Sequence, residues 1–464
     1  MRRNGRLNVT ETLLKGKVPR RVELDGTMPA SHEVEETRRR VAHVRLNLSL
    51  GAVAAANLLA SLAFQWVVLT RLGVGVPTDA LFAGMAIPQF VLAIASGSLL
   101  SVLIPVLAGE SDETQRETAW SSFLLVGGAS MILTAVLFAT APVWVGWLFP
   151  GFRSRNLDLA ISLTRIQLPG IVFSTAVTVP LAAWNARSRF LWPELAPLIA
   201  TVACLLPLPF LLTHWGVTAA AWLSTGKGLL FLLLVLPGLR AFRRPVRHSK
   251  EQREIGRRLL PLLGGSAYYK SDALVDRALS SLAPPGELSI LYLGQQLWNA
   301  ASQVLTVAIG RPLVPALSAL AKQGRWSDFR STLGKHLGPM LFLVVAGAVT
   351  FAIVGRTILT LLIGHGGVTT ANVDLLWRVM LVLTVAFAAG SLGQLTSQAF
   401  YALGDTRTPT RLGILTFTVY VPLKFLAFRA FGIFGLAAST GLFILVNVAL
   451  QYGLMSRLLR RRIA

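Results

Sequence analysis

The sequence is short of almost everything a soluble enzyme relies on. It has one cysteine, Cys204, set among Leu and Ala in an apolar run, so no internal disulfide and no thiolate metal cluster can form. Charged residues make up 14% of the chain, against about a quarter in ordinary soluble domains. Acidic residues are scarcer still, 21 against 44 Lys and Arg. No His/Glu metal spacing, Walker loop, nucleophile elbow or nucleotide-binding glycine motif occurs in a fitting context, which argues against an enzyme, against ATP hydrolysis by this chain and against a bound cofactor or metal. Residues 1–46 hold no apolar run long enough for a signal-peptide core, and read as a retained, basic, disordered cytoplasmic tail.

What is present is hydrocarbon. Apolar residues are 53% of the chain and the mean hydropathy is +0.61, so much of this surface has to face lipid. A helix needs about 20 mainly apolar residues to cross a bilayer core, and such runs recur at 47–71, 79–107, 119–149, 158–182, 192–213, 216–240, 259–281, 287–320, 337–363, 373–402, 410–430 and 433–456. The fold class expected is therefore an all-α polytopic membrane protein of about twelve transmembrane helices.

The formal net charge of +23 raises the question of a nucleic-acid partner. Its distribution answers no. With the amino end inside, the cytoplasmic tails and loops hold 32 Lys and Arg, the outer side and outer span ends hold 4 (Arg71, Arg153, Arg155, Arg429), and 8 lie within spans. That asymmetry is the positive-inside pattern, and it places both termini in the cytoplasm. The bilayer is the partner these charges imply; they serve topology or lean on anionic headgroups.

The chain also resembles itself. LIPVL at 103–107 aligns with LVPAL at 313–317 at an offset of 210, which also sets Leu81 on Leu291, Gly84 on Gly294 and Gln89 on Asn299. Asn185 through Pro193 aligns with Tyr401 through Pro409 at an offset of 216. These matches fall at corresponding places in two six-helix lobes, 47–240 and 259–456, joined by a basic cytoplasmic linker at 241–258 and followed by a basic tail at 457–464. With an even number of crossings in each, the lobes should be related by a pseudo-two-fold axis along the membrane normal.

Charged residues inside spans mark what the seam between lobes handles, because lipid does not tolerate them. In the seventh span Lys270 and Arg277 fall about 20° apart on one helical face, and Asp272 and Asp276 about 40° apart on another. The cations suit lining the seam while the acids pair with a neighbouring helix; four structural ion pairs are the competing reading. In the eighth span Tyr292, Gln296, Asn299 and Gln303 recur on one face, a stripe suited to sugar or phosphate or to bonding helices together. Lys227, Arg311 and Lys424 stand as further isolated cations, while Arg165, Arg356 and Arg378 lie near span ends, where they can snorkel. The excess of cations points to anionic cargo.

The stretch TDALFAGMAIPQFVLAIASGSLLSVLIPVLAGE (78–110), the block LYLGQQLWNAASQVLTVAIGRPLVPALSALAKQG (291–324) and the turn FYALGDTRTPTR (400–411) resemble signature regions of the MurJ (MviN) family, within the multidrug/oligosaccharidyl-lipid/polysaccharide exporter superfamily. The similarity runs over roughly 47–456. It implies two lobes forming a V around a cationic cavity in the bacterial cytoplasmic membrane, and flipping of an undecaprenyl-diphosphate-linked saccharide by alternating access, with glycan synthesis enzymes as neighbours. Asp79 matches the family's Thr-Asp-Ala motif, a gating or structural position, and Asp276-Arg277 resembles a common pair. The cavity arginines typical of lipid II flippases are replaced at the aligned positions by Leu58, Phe64, Ala93 and Gln296, which marks a divergent member serving lipid II or another surface-glycan precursor. On that reading Lys270, Arg277 and Arg311 hold the diphosphate, and Gln296, Asn299 and Gln303 meet the sugars. Asp272 and Asp276 are candidates for ion coupling; a coupling ion or the membrane potential would supply the energy. Two rivals stay open, a cation-coupled multidrug antiporter of the same superfamily and a non-transporting scaffold for glycan synthesis. A major-facilitator transporter would carry a Gly/Asp/Arg-rich loop where AGESDETQRET stands.

Overall fold

The computed structural model describes residues 30–108, 111–152, 155–242, 270–305 and 313–463, with a few single positions between 255 and 268. Among them there is no strand. The chain forms two units, Met1–Ser49 and Leu50–Ala464. The first is described only from Ala30, where it is helical, and residues 1–29 of the tail expected to be disordered lie outside the described residues; Glu35 and Glu36 precede Arg39 and Arg40 by four residues, a spacing that favours helix. Everything below concerns the second unit.

Its first half contains α1 (Ala30–Leu72, from residue 50 on), α2 (Val76–Gly84), α3 (Ala86–Ala108), α4 (Asp112–Leu148), α5 (Arg155–Gln167), α6 (Gly170–Ala176), α7 (Thr178–Ala186), α8 (Leu191–Leu205), α9 (Leu208–Trp215) and α10 (Val217–Val235). The second half contains α11 (Asp272–Ser280), α12 (Glu287–Leu305), α13 (Leu313–Lys322), α14 (Trp326–Ile363), α15 (Thr370–Ala402) and α16 (Arg407–Ile463). Among the described residues eight helical runs are long and apolar enough to cross a bilayer, and the α8–α9 pair, bent by 45°, makes a ninth. The spans expected at 259–281 and 287–320 fall partly outside the described residues, as does most of the linker at 241–258. Those expected at 410–430 and 433–456 both lie within α16, which is two helices run together across Gly432.

Helix ends follow local chemistry. Ser111 accepts the Thr114 amide at 3.3 Å to cap α4, whose first turn carries Asp112 and Glu113 toward the positive end of the helix dipole. Ahead of α16, Asp405 accepts the amides of Arg407 (3.0 Å) and Thr408 (2.9 Å) and the Thr408 hydroxyl (2.6 Å). These donors, the hydroxyl foremost, hold its carboxyl below the usual range. Two breaks repeat. Gly216 (φ 56°, ψ −140°) and Gly432 (φ 57°, ψ −138°) share one conformation, and Ser188 (φ 56°) and Gly404 (φ 75°) are both left-handed, each pair 216 residues apart.

The hydrophobic core is shared at one end of the molecule and divided at the other. Near the turns at 73–75, 216, 281–286 and 364–369, one cluster mixes residues of both halves, among them Phe64, Phe82, Val145, Leu291, Tyr292, Leu383 and Leu436. Toward the opposite ends of the same helices the first half packs on its own residues, such as Leu99, Leu103, Leu107 and Val179, and the second half on Leu317, Phe329, Leu395 and Met455. At the shared end the chains meet backbone to backbone. The Thr70 carbonyl accepts the Gly367 amide at 2.6 Å, and a Cβ on Gly73 (φ 78°) would lie 2.8 Å from the Gly367 carbonyl oxygen. Only glycine fits such an approach.

Candidate functional site

The two halves are joined by polar contacts that can be followed inward from the shared end. Outermost, Trp66 donates to the Leu362 carbonyl at 2.5 Å. Next, Asp79 on α2, 4% exposed, accepts the Gly286 amide at 2.5 Å, the Ser289 amide at 2.8 Å and the Ser289 hydroxyl at 2.5 Å. Asp79 thus satisfies donors at the start of α12 that have no partner within that helix. One turn deeper, the rings of Phe82 and Tyr292 lie 4.6 Å apart. Asp79 and Ser289, like Phe82 and Tyr292, are separated by 210 residues, the offset of the sequence repeat.

Below these sits Arg277 of α11, 7% exposed. One terminal nitrogen donates to Gln89 Oε1 of α3, and the guanidinium lies 4.7 Å from the Tyr292 ring centre. Gln89 Nε2 (3.0 Å) and Gln296 Nε2 (2.7 Å) both donate to the Tyr292 hydroxyl. The other terminal nitrogen, Nη1, is buried with no hydrogen-bond partner among the described residues. Such an orphaned, charged donor calls for an acceptor that the described residues do not provide. Lys270 is the innermost member of the series: half-buried, it donates to the Ala93 carbonyl of α3. Both cations therefore reach the first half, as their shared helical face predicts.

The acids turn the other way. Lys424 of α16, 0% exposed, lies 2.5 Å from Asp272 Oδ1 and 2.6 Å from Asp276 Oδ1, and Gln295 donates to Asp276 Oδ2 at 2.8 Å. The Tyr420 ring centre is 4.9 Å from the ammonium. Lys424 is thus not an isolated cation; its two partners sit one helical turn apart on α11, a spacing visible in the sequence but not their choice of neighbour. Arg356, expected to snorkel, pairs with Asp374 at 2.6 Å. Lys227 remains as expected, a cation within a span with no carboxylate on it, its ammonium 5.6 Å from the centre of the Phe64 ring.

Of the polar stripe, Tyr292 is buried, Gln296 half-buried, and Asn299 and Gln303 exposed. The stripe therefore emerges from the shared core toward the region where the halves separate. Arg311 lies outside the described residues. Gln89 was legible only as a repeat match to Asn299; its place between Arg277 and Tyr292 depends on a packing across 188 and 203 residues that no local pattern encodes. Chemically, the arrangement brings two cations and a row of side-chain amides to one course between the halves.

Known proteins share this chain's sequence and fold. A family model described as "Lipid II flippase MurJ" matches residues 68–463. A probable lipid II flippase MurJ of Bdellovibrio bacteriovorus is 25% identical over 397 residues, covering 82% of this chain and 76% of its own. Among solved structures, a lipid II flippase MurJ in an inward closed conformation superposes with a TM-score of 0.78 at 18% identity, over 88% of this chain and 87% of the other. An inward-facing multidrug resistance MATE family transporter of the MOP superfamily superposes at 0.73 and 14% identity, over 90% and 98%.

Proposed function

We propose, because the chain belongs to the MurJ family of lipid II flippases, that it moves lipid II or a closely similar undecaprenyl-diphosphate-linked saccharide from the cytoplasmic to the outer leaflet by alternating access. As a member of that family it is a multi-pass membrane transporter and not an enzyme. One observation carries the substrate reading: Arg277, buried where the halves join, has no hydrogen-bond partner for Nη1 among the described residues. Lys270 follows on the same face about two helical turns away, so the pair presents two positive charges to the two phosphoryl groups. Gln296, Asn299 and Gln303 then face the sugars, Arg311 is an expected third cation, and the polyprenyl tail stays in lipid.

The departures from the family pattern support retained transport over a scaffold role. One of the positions that lack arginine receives a cation from another helix: Lys270 donates to the Ala93 carbonyl. An antiporter for organic cations needs free acids in its cavity, whereas Asp272 and Asp276 are both held by Lys424. Our reading gives those acids to helix packing rather than ion coupling.

The finer architecture belongs to the same proposal: twelve crossings, lobes at 47–240 and 259–456, and both termini in the cytoplasm of the bacterial inner membrane. At a two-fold axis equivalent positions meet one another. Contacts between Asp79 and Ser289 and between Phe82 and Tyr292, and the matched backbones of Gly216 and Gly432, support such an axis. With the amino end inside, the shared core faces outward and the divided cores face the cytoplasm, so on this reading the outer side is the closed one and Asp79 is its latch.

The test is rescue of cells depleted of their own lipid II flippase. The wild-type chain is expected to restore growth, and Lys270→Gln combined with Arg277→Gln to abolish rescue, with lipid II accumulating while the variant stays in the membrane. Rescue undiminished by the double substitution removes both residues from the substrate site.

A further inference from the structure

The first half holds a second space, apart from the junction, with a largely apolar wall interrupted by a few polar side chains. It is a cavity of about 310 Å³ walled by α1, α3, α6, α8 and α10. Lys227 enters it from α10, and Asn57 and Ser61, one turn apart on the same face of α1, enter from another wall. No Asp or Glu lines it among the described residues. Three donor groups there are uncommitted: the Lys227 ammonium and the Ser61 hydroxyl make no hydrogen bond among the described residues, and Asn57 uses only its carbonyl oxygen, which accepts from Thr201 at 3.4 Å; the hydroxyls of Ser174, Thr201, Ser224 and Thr225 and the Gln167 amide are spent on carbonyls. A lysine within an apolar span is strongly disfavoured unless something neutralises it, and a face of Phe64 offers only weak compensation. The cavity is also far larger than one ammonium requires.

We infer that this cavity is an anion site for a phosphate-type oxyanion, held by Lys227 with Asn57 and Ser61 completing its coordination from the facing helix. Three donor groups on two walls suit an acceptor with several oxygens, and the absence of a lining carboxylate leaves the lysine's charge for the ligand. The inference is independent of the flippase reading, because the Arg277 and Lys270 contacts lie outside the cavity; Gln89 alone borders both spaces.

The test uses the full-length protein purified in detergent, titrated with inorganic phosphate in gluconate buffer at constant ionic strength and read by thermal unfolding. Wild type should show a saturable rise in Tm, Lys227→Met should abolish it and Lys227→Arg should keep it. Asn57→Ala with Ser61→Ala should raise the half-saturating phosphate concentration several-fold, which also serves if Lys227→Met does not fold. The series is repeated in the Lys270→Gln, Arg277→Gln background, where phosphate held at the proposed substrate site no longer contributes; the Lys227-dependent rise should persist there, so failure here leaves that site untouched. Wild type indifferent to phosphate, or an equal response in Lys227→Met, overturns the inference. Displacement of phosphate by a short-chain polyprenyl diphosphate would assign the oxyanion to the transported lipid, and phosphate binding that this probe leaves unchanged would assign it to free phosphate.

Discussion

Lys424 and Lys227 are both intramembrane cations, one in each half, and they are satisfied in opposite ways. Lys424 is fully enclosed, with two carboxylates within 2.6 Å. Lys227 has an aromatic ring and a cavity. At the 210-residue offset of the repeat, Asp272 and Asp276 correspond to Leu62 and Trp66, so the first half lacks the acids that neutralise the second. A charge closed by its own protein holds helices in place; one left open is available to something that arrives and leaves.

The comparison can be broken most directly at Lys424. Lys424→Met strands two buried carboxylates, and the loss of one partner of a buried ion pair costs about 3–5 kcal/mol, so the variant should lose most of its folded fraction in detergent, read by thermal unfolding and size-exclusion profile. Adding Asp272→Asn and Asp276→Asn should recover much of that loss; no recovery would mean the lysine acts through packing rather than charge. Asp79 tests a third way of satisfying a charge, by amides and a hydroxyl. Asp79→Asn should cost about 1–3 kcal/mol and speed hydrogen exchange at 286–290; unchanged exchange there would reject the latch.

Smaller effects sharpen the contrast. Asp405 lies outside the spans with its carboxyl held down by Thr408 and two amides, so its contribution is present above the ordinary carboxylate pKa and fades as pH falls through the folded value. Asp405→Asn should therefore lower Tm slightly near neutral pH and converge with wild type in acid. Opposite in sign, Lys227→Met in phosphate-free buffer should raise Tm slightly, because it removes a span lysine that no carboxylate neutralises among the described residues; a loss comparable to Lys424→Met would erase the distinction between the two lysines.

Much of this was visible in the sequence because bilayers and helices impose strong periodicities. Apolar runs marked the helices, and the spacing of Lys270 with Arg277 and of Asp272 with Asp276 set their opposite faces. The repeat offsets recur in contacts and backbone angles at Asp79 and Ser289, and at Gly216 and Gly432. What stayed hidden was pairing over long separations: Lys424 with residues 152 and 148 positions earlier, or Gln89 between Arg277 and Tyr292. Helical spacing fixes the direction a side chain takes but not which helix stands there. The helix before residue 47 was not anticipated because its apolar positions, such as Val34, Val41 and Val44, are too sparse among charged residues to form an apolar run.

The meeting of Gly73 with Gly367 has a thermodynamic side. Closure there is made by peptide groups of residues that have no rotamers, so bringing the two strands of chain together freezes no side chain and parting them releases none. Little apolar area is covered by glycine backbone. On the proposed alternating-access cycle the side-chain part of the entropic cost is absent each time this seam re-forms, and Asp79 and the ring pair beneath it set how long the closed state lasts.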